Sequence, residues 1–198
     1  LLISLWPFAI TNVLGVLMIN TDIIMLGWFR SSEEVGWYSA PQRIIQLIYL
    51  IPTVMAVSIL PLFSRLAVQS KEKLTQAIEQ SISAVYMAAF PIATGGIIVA
   101  VPLIAFLFGD QFVHGAVPLQ ILLLTLLADF SAVILSFVLI VYDHQRNLVV
   151  YSAVGGFMNV VLNLLLIPRF GIIGCSFATL GAQLLSNAYL QYIVRRTN

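Results

Sequence analysis

Six apolar runs, each near or above the roughly 20 residues that a membrane-spanning helix needs, make up most of this chain. They lie at about 1–29, 38–63, 83–108, 116–141, 148–167 and 172–194. The runs are continuous rather than alternating, and too long for barrel strands, so they read as helices. The expected fold is all-α: a polytopic membrane protein with a single membrane domain over 1–198 and six transmembrane helices. Composition agrees. Apolar residues make up 61% of the chain and charged residues 9%, against roughly 45–50% and about a quarter in a soluble domain. So few charges cannot cover a water-facing surface. A soluble enzyme, a nucleic-acid binder and a disordered tail are therefore excluded. The single cysteine, Cys175, excludes an internal disulfide and a Cys-based zinc cluster.

The chain opens at Leu1 without an initiator Met and is apolar at once, with no basic leader region before it. This start is not a signal peptide, and the chain is expected to be a fragment cut inside or just before a membrane helix. Gly-Asp-Gln at 109–111 and Pro168-Arg169-Phe170-Gly171 mark turns. Pro91 and Pro102 are expected to kink the third segment, their freed carbonyls satisfied by neighbouring helices. Six Lys and Arg (Arg65, Lys71, Lys73, Arg146, Arg195, Arg196) flank one set of helix ends and three (Arg30, Arg43, Arg169) the other. The positive-inside rule then puts both ends of the fragment in the cytoplasm of a multi-pass protein of the inner or plasma membrane. The polar stretch 64–80, SRLAVQSKEKLTQAIEQ, suits an amphipathic connector on the cytoplasmic face.

Polar side chains within the apolar runs are the candidate sites, because charge inside a membrane usually faces the protein interior. Asp22, Asn163 and Thr179 lie at similar depths, roughly 7–10 Å from their helix ends by the axial rise per residue, with Asn159 one turn further in. A carboxylate, two amides and a hydroxyl form an oxygen-rich set suited to a hard cation such as Na⁺. Asp22 alone could instead carry a proton, and plain interhelical hydrogen bonding is the competing reading. Asp129, midway along the fourth segment, is a candidate proton or cation relay. Otherwise it is a buried Asp bonded to Thr125, one turn earlier on the same face. Arg43 lies five residues into the second segment. It either snorkels to the interface or contacts an anion, for which its planar fork suits phosphate. Trp28, Trp37 and Tyr38 read as an aromatic belt. Gly171, Gly174, Ala178 and Gly181 favour close helix packing. His114 and His144 fall in opposite loops and share no metal. No phosphate-binding loop, H-E-x-x-H or G-x-S-x-G occurs, so no enzyme is expected.

The stretches NTDIIMLGWF (20–29), EEVGWYSAPQRI (33–44), ILPLFSRL (59–66) and IPRFGIIGCSFATL (167–180) together resemble the multidrug/oligosaccharidyl-lipid/polysaccharide flippase superfamily. The resemblance covers nearly the whole chain and favours the polysaccharide transporter branch of O-antigen and other lipid-linked oligosaccharide flippases. It implies the C-terminal six-helix lobe of a two-lobe fold, whose N-terminal lobe is not in this sequence. It also implies movement of an undecaprenyl-diphosphate-linked oligosaccharide across the bilayer by alternating access, with Na⁺ or H⁺ as coupling ion and no other cofactor. Arg43 resembles a cavity arginine that contacts the diphosphate in lipid II flippases. Gln42 precedes it where those proteins usually carry an acidic residue. Asp22, Asn159, Asn163 and Thr179 resemble a sodium site, Asn163 standing where a second carboxylate occurs. Asp22 and Asp129 also resemble membrane carboxylates of multidrug exporters. A cation-coupled multidrug exporter and a non-transporting membrane scaffold are the alternatives.

Overall fold

The structure is a computed structural model that describes Val13 and residues 20–197, and the described elements are helical throughout. The first expected segment lies outside the described residues except for its end, α1 (20–29). There follow α2 (Ser32–Ile48), α3 (Leu50–Gln69), α4 (Lys71–Phe108), a 3₁₀ turn (Asp110–Gly115), α5 (Ala116–Val141) and α6 (Gln145–Thr197). Among the described residues, four stretches are long and apolar enough to cross a membrane: Ser32–Gln69, Lys71–Phe108, Asp110–Val141 and Gln145–Val194. The protein is thus an all-helical, multi-pass membrane protein.

α2 begins six residues before the apolar run expected from Tyr38. Ser31 caps it by accepting from the Glu34 N–H at 3.3 Å, and Glu33 and Glu34 occupy its first turn. A hydroxyl cap and acidic residues at the positive end of the dipole start a helix that hydropathy alone does not register. The α2–α3 step occurs at Tyr49 (φ −63, ψ −15). Its cause is three residues on: Pro52 has no N–H to give the Ile48 carbonyl, and its ring crowds that carbonyl. α3 then continues to Gln69, and α4 starts at Lys71 after Ser70 takes an extended conformation (φ −163, ψ 118) and accepts from the Lys73 N–H. The stretch 64–80 is therefore not a separate connector helix. It is the end of α3 and the first turns of α4, divided by the Ser70 cap.

α4 runs unbroken through Pro91 and Pro102. Gln120 of α5 donates to the Ile97 carbonyl at 3.0 Å, beside the Ile98 carbonyl that Pro102 leaves without a helix donor. Gly109 (φ +95) ends α4. α5 is mostly buried and forms the centre of the bundle, with Leu119, Leu126, Phe130 and Leu139 fully buried. The opposite arrangement holds on α4, where Met87, Ile98 and Phe106 are 78%, 80% and 86% exposed. Large apolar side chains facing outward suit hydrocarbon as the surrounding solvent.

α6 is helical to Phe170 and again from Ile172, broken at Gly171 alone (φ 56, ψ −133). The two arms fold back on each other. Tyr151 donates to Asn187 at 3.0 Å across 36 residues, which a straight helix would hold roughly 54 Å apart. A Cβ at Gly181 would lie 3.1 Å from Leu162, and one at Gly174 would strike the Leu166 carbonyl, so small residues on the second arm set the close approach. At the fold-back, Arg30 donates to the Ile167 carbonyl at 3.3 and 3.0 Å and to that of Pro168 at 3.0 Å. A Cβ on Gly171 would meet the Glu34 carboxylate at 2.9 Å. Gly171→Ala is expected to destabilise the protein by about 1–3 kcal/mol, through the backbone conformation and this contact. The check is a lowered thermal unfolding midpoint for the purified parent protein in detergent; an unchanged midpoint would mean that the arms tolerate another hinge geometry.

Candidate functional site

Two buried carboxylates organise the polar interior. Asp22, on α1, is 3% exposed. Its Oδ1 accepts from Asn159 Nδ2 at 2.9 Å and from Asn163 Nδ2 at 2.7 Å. Its Oδ2 accepts from Thr179 Oγ1 at 2.6 Å and from Tyr38 Oη at 3.0 Å. Asn163 also donates to Asn159 Oδ1 at 3.1 Å, one helical turn away. The Asn pair stands on the first arm of α6, Thr179 on the second and Tyr38 on α2, so the Gly171 fold-back is what brings amides and hydroxyl to one carboxylate. The three residues that the sequence placed at similar depth, Asp22, Asn163 and Thr179, thus meet at one point with Asn159, one turn further in.

The electrostatics are those of a carboxylate held by neutral donors. Four hydrogen bonds fill the lone-pair sites of an ionised Asp. The only ion pair among the described residues is Arg30–Glu34 at 3.9 Å, on the surface. Asn163 Oδ1 is buried without a hydrogen-bond partner. Rotation of the Asn159 and Asn163 amides would turn oxygens toward the carboxylate, so the cluster holds up to six oxygens, those of Asp22, Asn159, Asn163, Thr179 and Tyr38. No group of three or more His, Cys, Asp or Glu converges among the described residues.

Tyr38 is a correction to the sequence reading. It is no belt residue: it is fully buried and donates to Asp22. Its neighbour Trp37 packs on His114 with ring centroids 4.4 Å apart, and Trp28 alone of the three is strongly exposed, at 74%. A buried Tyr needs a partner for its hydroxyl; position next to Trp37 at the start of an apolar run concealed that.

Asp129 on α5 makes a second, separate network. Tyr49 donates to Oδ2, and Asn187 Nδ2 donates to Oδ1 at 2.6 Å. Asn187 accepts in turn from Tyr151 at 3.0 Å. Thr125, the partner expected from the sequence, instead donates to the Leu122 carbonyl at 2.6 Å and lies 3.4 Å from Tyr49 Oη. A helical Thr satisfies itself on its own backbone, which leaves Asp129 to the neighbouring helices. Asn187 could have been found from the sequence as an amide inside an apolar run. The step at Tyr49 could not. Asn187 lies eight residues past Thr179, so the two networks stand roughly 12 Å apart along the second arm.

Arg43 belongs to neither network. It lies on the side of α2 away from Tyr38 and Ile45, is exposed, and makes no hydrogen bond or ion pair among the described residues. Gln46 and Thr53 are exposed on the same side of α2 and α3.

Removal of one donor to a buried carboxylate costs about 1.5–3 kcal/mol. Tyr38→Phe and Tyr49→Phe are each expected to lower stability by that amount in chemical or thermal unfolding of the parent protein. A loss within about 0.5 kcal/mol, the range of an ordinary surface change, would mean that the carboxylate recruits another donor.

Known proteins bear on this geometry. The family described as "Polysaccharide biosynthesis protein" matches residues 2–117. The probable flippase AglR of Haloferax volcanii is 29% identical over 163 residues, covering 80% of this chain and 34% of its own length. An outward-facing multidrug resistance MATE family transporter of the MOP superfamily has the same fold over 96% of this chain and 43% of its own, at a TM-score of 0.83 and 16% identity. The lipid II flippase MurJ in an inward closed conformation superposes over 96% of this chain and 42% of its own, with a TM-score of 0.79 and 16% identity. The chain spans about a third of the curated relative and about two fifths of the solved transporters. With more than half of its residues matched by the family, and a fold shared with MOP transporters, the chain belongs to the polysaccharide biosynthesis protein family of membrane proteins.

Proposed function

We propose that this chain is one six-helix lobe of a transporter that flips a lipid-diphosphate-linked oligosaccharide across the membrane by alternating access. A second, N-terminal lobe completes the protein, and both ends of this lobe lie on the cytoplasmic side. The observation that carries the reading is Arg43. It stands nine residues past Glu34, roughly 13 Å along the helix, exposed and unpaired among the described residues. A charge at that depth is costly in lipid and usually faces a bundle interior or a water-filled cavity. The second lobe supplies the other wall of such a cavity, with Arg43, Gln46 and Thr53 lining this one. A guanidinium there recognises the diphosphate through two parallel hydrogen bonds. The similarity to AglR, named as a probable flippase, supports flipping as the activity.

The Asp22 cluster is the coupling site in this reading. Na⁺ or H⁺ binds at the carboxylate, with Asn159, Asn163 and Thr179 as further oxygen ligands. Because the donors come from α2 and both arms of α6, a cation that displaces their hydrogen bonds changes how those helices are held, which is what coupling requires. Asp129 serves as a second proton or cation relay.

Transport by the full-length parent in vesicles tests both parts. Arg43→Ala is expected to lower flipping at least about tenfold, the loss of one charge-assisted contact; unchanged transport removes Arg43 from the mechanism. Asp22→Asn is expected to abolish dependence on a Na⁺ or proton gradient, and persistent dependence rejects Asp22 as the coupling group.

A further inference from the structure

The end of the lobe that carries Gly109 and Gly171 holds an open recess of about 600 Å³. Its polar wall comprises Arg30, Glu34, His114 and Arg169. Arg30 is occupied there. It covers the Ile167 and Pro168 carbonyls, the negative end of the first arm of α6, and lies 3.9 Å from Glu34. Arg169 is different: it is exposed and makes no hydrogen bond or ion pair among the described residues. Two guanidinium groups against one carboxylate leave the recess net positive. The carbonyls that would repel an anion are already neutralised by Arg30.

The rest of the wall is apolar. Val101, Val117 and Ile173 line it and are 49%, 46% and 38% exposed, each on a stretch long enough to span the membrane. The packed Trp37–His114 pair closes one side. A free guanidinium and an exposed apolar wall lie together at a helix end.

We infer that this recess binds a phosphate group carried by an anionic lipid. Arg169 receives the phosphate through its planar fork, and the acyl chain lies along Val101, Val117 and Ile173. The site is distinct from Arg43, which stands twelve residues past the Ser31 cap, roughly 18 Å along α2, and contributes nothing to the recess lining.

Native mass spectrometry of the detergent-purified full-length parent tests this, with dioleoylphosphatidylglycerol, dioleoylglycerol (which lacks the phosphate) and inorganic phosphate as probes. Arg169→Gln leaves every hydrogen bond of the fold in place, and an unchanged unfolding midpoint verifies that. Phosphatidylglycerol is expected to bind more tightly than dioleoylglycerol, and Arg169→Gln to weaken it on the order of tenfold without affecting dioleoylglycerol. Binding of phosphatidylglycerol but not of inorganic phosphate supports the lipid as source. Binding of inorganic phosphate without binding of phosphatidylglycerol overturns the lipid as source. Equal affinity of the wild type and Arg169→Gln for phosphatidylglycerol overturns the inference, as does dioleoylglycerol binding as tightly as phosphatidylglycerol.

Discussion

A carboxylate that is buried where no bulk water reaches must find all of its hydrogen-bond donors within the protein. Asp22 sets that condition for this lobe. Its two oxygens accept from α2 and from both arms of α6, so three helical elements are held to the end of α1 by one functional group. Leaving such a group unpaired costs more than any single apolar contact contributes. Asp129 repeats the arrangement further along the bundle, joining α5 to the α2–α3 step and to the second arm of α6. In a lipid solvent, apolar burial contributes little to helix association. These polar contacts and the close approach of small residues therefore specify which helices pack together.

Both networks depend on breaks in helices. Pro52 interrupts the ladder at Tyr49, whose side chain then reaches Asp129. Gly171 reverses α6 within a single residue, placing Asn163 and Thr179 on the same carboxylate although they lie sixteen positions apart. Neither break could be replaced by a long loop without losing the register between arms. The Arg30 contacts with the Ile167 and Pro168 carbonyls close the far end of the fold-back, satisfying acceptors that a helix end would otherwise leave bare.

Polar chemistry is thereby divided between inside and outside. The interior holds carboxylates among neutral donors. The outward-facing charges, Arg43 on α2 and Arg169 at the fold-back, have no partners among the described residues. α4 presents Met87, Ile98 and Phe106 outward, as a lipid-facing helix does.

The sequence by itself determined the class and much of the polar plan. Long apolar runs leave helices as the spanning form because backbone groups in lipid must be satisfied within the segment. A constant rise per residue placed Asp22, Asn163 and Thr179 at one depth before any fold was known. Gly109 and the Pro168–Gly171 run mark their breaks by their own chemistry. What only the tertiary structure decided was partnership. Depth is a one-dimensional quantity, and it does not say which helix faces which. Hence Tyr38 moved from the interface to Asp22, and Asp129 found Tyr49 and Asn187 rather than Thr125, whose hydroxyl its own helix had already taken. Helix ends shifted for a related reason: a cap such as Ser31 or Ser70 is set by a few backbone hydrogen bonds, which average hydropathy does not contain.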